Sequence, residues 1–92
     1  MTGHDYIPRG AKRFAILPRG AYPLQLHLHL KTLPGARLMA LVTEQLEDVF
    51  LDFEYDHQSF RILELPDEYW FVVRDPRCPP QTMRYVLEHF QA

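Results

Sequence analysis

A single cysteine, Cys78, excludes any internal disulfide. The fold must then rest on an apolar core, and a reducing compartment suits the chain. No stretch reaches the ~18 consecutive apolar residues of a membrane-spanning helix. The first twenty residues include Pro8, Arg9, Gly10, Lys12, Arg13, Pro18 and Arg19 and hold no apolar h-region, so a secretory leader is not expected and a cytoplasmic location is. Internal repeats and low-complexity segments are absent. So are a second cysteine, a His-Glu-x-x-His motif and any compact set of metal ligands. No nucleophile has a base near it in sequence.

What is present describes one small domain. Ninety-two residues bury roughly 60–65% of the surface of the unfolded chain, enough for one modest core. Apolar residues make up 47% and charged residues 24%, both ordinary for a globular domain, while the aromatic share of 13% is rich. The net charge of −2 is unevenly placed. Residues 1–37 carry Arg9, Lys12, Arg13, Arg19, Lys31 and Arg37 against Asp5 alone; residues 38–92 carry four arginines against eleven acids. Two readings follow. In the plainer one the basic front folds onto the acidic rear, at Asp52, Glu54 and Asp56, or both are solvated faces; in the sharper one the front is an arm that meets a polyanion.

Residues 1–12 are rich in Gly, Pro and polar groups and read as a flexible basic arm, with residues 13–92 as a single α+β domain. Phe14-Ala15-Ile16-Leu17 reads as an edge strand or as an arm laid on the core. Leu24 to Lys31 alternates apolar and polar without a miss, which predicts a strand over 23–31 with His27 and His29 on its wet face. Thr32 and Pro34 suit a helix start. Leu38, Leu41, Val42 and Leu46 then form a helical stripe to about Asp48. Val49 to Asp56 alternates again, Asp56-His57-Gln58-Ser59 has turn composition, and Ser59–Leu65 returns as a strand. Tyr69-Trp70-Phe71-Val72-Val73 is apolar on both faces and reads as a central strand. Pro79 and Pro80 open a last helix whose stripe is Met83, Val86, Leu87 and Phe90.

The expected order is strand-helix-strand-strand-strand-helix. That is an α+β, two-layer sandwich: a mainly antiparallel sheet of about four strands with two helices on one face. Leu26, Leu28, Leu41, Phe53, Phe71 and Leu87 are expected in the core.

Three features bear on function. His27 and His29, with Asp52 and Glu54 if the two strands are neighbours, are candidate metal ligands; the plainer reading is cross-strand charge pairing on a wet face. Cys78 precedes a helix N-terminus, which favours a thiolate, or it is a small buried residue in a tight connector. Leu51, Phe53, Leu63, Leu65, Tyr69, Phe71 and Val73 are taken to face the helices. Phe50, Phe60, Ile62, Trp70 and Val72 then face outward as a candidate interaction surface, covered either by the Phe14–Leu17 segment or by another chain.

From residue 33 onward the expected element order matches the topology of double-stranded-RNA-binding domains. The last helix begins Cys78-Pro79-Pro80-Gln81-Thr82, without the basic residues that reach phosphates, so nucleic acid is not expected as a partner. The segment Tyr69-Trp70-Phe71-Val72-Val73-Arg74-Asp75-Pro76-Arg77-Cys78-Pro79, with Leu87-Glu88-His89-Phe90 closing the helix, is similar to small uncharacterised bacterial proteins. The resemblance covers the C-terminal quarter and implies a stand-alone bacterial domain of unknown function. The leading expectation is a non-enzymatic protein-interaction or regulatory module, bound to a protein partner or to itself as a homodimer. It needs no cofactor and no membrane. The alternative is a small metal-dependent or thiol-based enzyme using the His27/His29 face or Cys78.

Overall fold

A computed structural model describes residues 7–19, 26–44 and 47–91. Its elements run β1 (Lys12–Pro18), α1 (Leu26–Leu30), β2 (Arg37–Glu44), β3 (Glu47–Tyr55), β4 (Gln58–Glu64), β5 (Glu68–Val73) and α2 (Pro80–Gln91). The strands form one antiparallel sheet in the order β1-β5-β4-β3-β2. The α+β class and the antiparallel sheet agree with the sequence reading. The sheet has five strands rather than about four, and two of the elements expected before residue 48 differ from those found.

The expected strand over 23–31 is the single-turn helix α1 where it is described; residues 23–25 lie outside the described residues. Leu26 and Leu30 are buried at i and i+4 and Leu28 is exposed, a helical pattern. The alternation of Leu and His carries no β-branched residue, and Leu is a good helix former, so nothing local holds this segment extended. The expected helix to Asp48 is instead β2 and the start of β3. Pro34-Gly35 is the reason. Gly35 takes φ +83, a left-handed turn conformation that no helix interior accepts. Leu38, Leu41 and Val42 thus lie on an edge strand, and Leu46 of the expected stripe lies outside the described residues.

The later elements stand where periodicity puts them. β5 lies between β1 and β4, which explains its apolar character on both faces. The β3–β4 hairpin closes between Tyr55 and Gln58, leaving only Asp56 (φ 52) and His57 (φ 62) in the turn. Two successive left-handed residues make the type I′ geometry that matches strand twist. That turn also sets the facing of β4. Gln58 shares the face of Tyr55, so Phe60 and Ile62 share it too, opposite Phe53 and Leu51. Phe60 and Ile62 therefore belong to the helix-covered face, and Leu63 turns to the other. The expected outward facing of Phe60 and Ile62 is corrected by one two-residue turn.

The main core joins Leu51, Phe53, Phe60, Ile62, Tyr69, Phe71 and Val73 of the sheet to Leu26 and Leu30 of α1 and to Met83, Val86 and Phe90 of α2. Phe14, beside a register shift in β1, lays its ring edge-on to Phe60 (5.9 Å) and Phe71 (6.1 Å). Of the expected core residues, Leu26, Phe53 and Phe71 are buried and Leu87 is half-buried, while Leu28 and Leu41 are exposed. A smaller cluster of Leu63, Trp70 and Val72 occupies the other face, with Ile7, Ala11, Phe50 and Leu65 against it. Among the described residues no helix is long and apolar enough to cross a membrane.

Candidate interaction surface

The sheet separates the residues that sequence reasoning brought together. Asp52 and Glu54 alternate with Leu51 and Phe53, so they lie on the face away from the helices. His27 and His29 lie in α1, on the helix side. Each acid has its own partner. Arg61, directly opposite in register, grips Asp52 through two hydrogen bonds of 2.6 and 2.8 Å. Arg37 reaches Glu54 at 3.2 Å. Among the described residues no group of three or more His, Cys, Asp or Glu is arranged to hold a metal ion.

The histidines do other work. His29 Nε2 donates to the His89 carbonyl (2.8 Å), and His89 Nε2 donates to the His29 carbonyl (3.1 Å). Thr32 Oγ1 donates to the His29 carbonyl at 2.7 Å and lies 2.9 Å from His89 Nε2. The two rings are 4.8 Å apart. This reciprocal clamp ties α1 to the last turn of α2. His27 stands apart from it, half-buried, with an Nδ1 that meets no partner among the described residues.

Cys78 is buried in the connector before α2. Burial pushes its thiol above the ordinary value of 9.0, and the nearby Asp56 and Asp75 carboxylates push the same way. The structure thus opposes the thiolate that a helix N-terminus alone would favour. Asp75 accepts from the backbone N–H of Arg77 (2.9 Å) and from its guanidinium, which holds its carboxyl below the usual range. Thr82, buried in the first turn of α2, donates to Asp56 Oδ2 at 2.9 Å and joins the helix to the β3–β4 turn.

The outer face of the sheet carries one apolar row across all five strands: Ile16, Trp70, Leu63, Phe50 and Val42. Its centre is covered by the chain itself. Ile7 and Ala11 pack against the cluster of Leu63, Trp70 and Val72, Arg13 sits 4.5 Å over the Trp70 ring, and Arg61 sits 3.8 Å over Phe50. Trp70 also donates to Glu68. Of the five residues expected to form an open patch, Trp70, Val72, Phe60 and Ile62 are buried and Phe50 is half-buried. The cover is Ile7 and Ala11, not Phe14–Leu17, which forms the edge strand β1. Of the basic residues, Arg37 pairs with Glu54 of the acidic strand, whereas Arg13 stacks on Trp70 and Arg19 donates to the Leu65 carbonyl at 2.9 Å.

The open apolar surface lies elsewhere, on β2. Leu38 is 47% exposed, Met39 55%, Leu41 38% and Val42 36%. Three cross-sheet rows end there. On the helix side, Val73-Phe60-Phe53 runs out at Leu38, and Phe71-Ile62-Leu51 runs out at Leu41. On the outer side, Trp70-Leu63-Phe50 runs out at Val42. A hollow of about 150 Å³ adjoins this end, lined by Met39, Asp52, Arg61 and Arg74 among others. Periodicity alone assigned Leu38, Leu41 and Val42 to a buried helical stripe, and so missed the surface. The signal that finds it is Pro34-Gly35 ahead of an eight-residue run without Pro, Gly or Lys. No family model matches the chain, nor does any curated protein or solved structure.

Proposed function

We propose that this chain is a small non-enzymatic protein-interaction module that engages its partner along the β2 edge. The observation that carries this reading is the ending of three apolar rows in exposed side chains on one edge strand. An edge strand presents unpaired backbone N–H and C=O groups, and an extended partner strand satisfies them. Apolar side chains on both faces of β2 supply the burial that backbone pairing alone lacks. The long helix α2 and the covered outer face provide a rigid support for that edge. The buried, protonated Cys78 and the separation of His27 and His29 from Asp52 and Glu54 lend nothing to the thiol or metal chemistry considered from sequence.

The test is a library of eight-residue peptides screened against the immobilised chain, with binders mapped by backbone amide shifts. Binders are expected to be extended and apolar and to shift the amides of β2. Binders that shift α2 or the Ile16 region instead would overturn the reading, as would a library that yields none from a chain that is strictly monomeric.

A further inference from the structure

We propose that the strand completing this edge is β2 of a second copy of the same chain, paired antiparallel about a two-fold axis so that two sheets become one. This rests on the interaction reading above and names its partner. Four observations support it.

The first is the contrast between the two edges. β1 carries Lys12, Arg13 and Pro18, and its register slips at Phe14. Charge, proline and a bulge are the usual guards against strand addition. β2 has neither proline nor lysine, and its charged residues stand at its two ends, with Leu38 to Thr43 between them. Both strands carry register irregularities, so the contrast lies in lysine and proline, which β1 has and β2 lacks.

The second is the chemistry of those ends. Arg37 begins the strand and Glu44 closes it. Antiparallel pairing about the strand centre brings the Arg37 end of each copy to the Glu44 end of the other. Parallel addition would set like charges together. A self-complementary edge of this kind is what an isologous two-fold contact requires.

The third is continuity of the core. Leu38 and Leu41 are the last members of two rows that begin under α1 and α2. Across a two-fold axis at Leu41 the Leu41 row meets its own counterpart and the two leucines cover each other, while Leu38 comes opposite position 44 of the other copy. The fourth is the register of β2 itself. Its irregularities lie between Leu38 and Ala40 and between Val42 and Thr43, which leaves Ala40–Val42 as the regular stretch. That places the axis near Leu41.

The experiment uses the intact chain. Sedimentation equilibrium from about 5 µM to about 500 µM covers the affinities expected of a contact this small. A dimer is expected. Met39→Lys adds the residue that natural edges use as a guard, at a side chain already more than half exposed. It should weaken the dimer by at least about tenfold with the circular dichroism of the folded chain unchanged. Leu41→Cys should cross-link to its own copy on mild oxidation, because directly opposed Cα atoms lie about 4.5–5.5 Å apart, within disulfide reach. Tyr85→Cys, on the exposed side of α2, should not. A strict monomer over the whole range overturns the self-pairing; the interaction reading then stands or falls on the peptide mapping. A dimer that survives Met39→Lys and cross-links through Tyr85→Cys overturns it as well, by placing the contact on α2.

Discussion

Ile62→Ala tests the facing of β4, on which the whole arrangement of the core depends. Ile62 is fully buried, with Phe71 on one side of it and Leu51 on the other. The substitution removes three carbon groups, at about 0.8 kcal/mol each for transfer alone, or about 2.4 kcal/mol. Its register partners belong to the two flanking strands of a packed core and cannot close fully on the space, so a cavity term raises the cost to about 3–4 kcal/mol. A chain of this size has a total stability of about 5–14 kcal/mol, so the variant should still fold at room temperature. Its melting temperature should fall by about 15–25 °C. Urea denaturation of Ile62→Ala beside Leu28→Ala is the assay. Leu28 is exposed on α1 and should cost less than about 0.5 kcal/mol. The reasoning is refuted if the order is reversed, with Leu28→Ala above about 2 kcal/mol and Ile62→Ala below about 0.5 kcal/mol. That result would restore the strand over 23–31 and the opposite facing of β4 together.

Three further outcomes follow from other parts of the fold. His57→Gly should stabilise the chain by up to about 1 kcal/mol in thermal or urea unfolding, because His57 holds φ 62 in the turn where glycine is least strained. A loss of stability would show that the His57 side chain contributes more than its backbone costs. A double-mutant cycle on Asp52→Ala and Arg61→Ala should give a coupling of about 1–2 kcal/mol, since the pair is bidentate and about three-quarters buried; a coupling near zero would put the pair with ordinary surface ion pairs. Cys78 should label with a thiol reagent much more slowly than a free cysteine at neutral pH. Its folded-state ionisation is raised, so the stability tied to it is full below the ordinary value of 9.0 and is lost as pH rises above that value. Labelling as fast as that of an unfolded control would refute this.

How much of this was legible in the sequence depends on what kind of signal each segment carried. β5 was legible because five consecutive large apolar residues suit only a strand covered on both faces. α2 was legible because Pro79-Pro80 and the Met83, Val86, Phe90 spacing agree with each other. α1 was not, because an alternating Leu-His run fits a strand by period and a helical turn by its i, i+4 leucines. The arbitration comes from outside the segment, where Phe90 and the His89 carbonyl hold His29. β2 failed differently. Leu38, Leu41 and Val42 have helical spacing, but in the strand Leu38 and Leu41 share a face only because the register shifts at Met39. A bulge makes a strand read as a helix, since one inserted residue turns a period of two into a spacing of three.

The candidate surface was lost for the same reason that the fold before residue 48 was. Once Leu38, Leu41 and Val42 are assigned to a buried stripe, the surplus apolar area has to be found elsewhere, and the Trp70 face is the place left for it. The structure moves that surplus by one correction at each end of the sheet. Ile7 and Ala11 close the Trp70 face with the chain's own residues, and β2 opens at the far edge. The aromatic richness of the chain is then explained without a ligand. Phe53, Phe60, Phe71 and Phe90 join in ring contacts of 5.3 to 6.0 Å around one core. A chain of this size can cover one face of a five-stranded sheet with two helices and much of the other with a short segment. Among the described residues no strand pairs with the outer edge of β2. An edge that is apolar on both faces and carries neither proline nor lysine is open to strand addition, and the interaction proposed above draws on that chemistry.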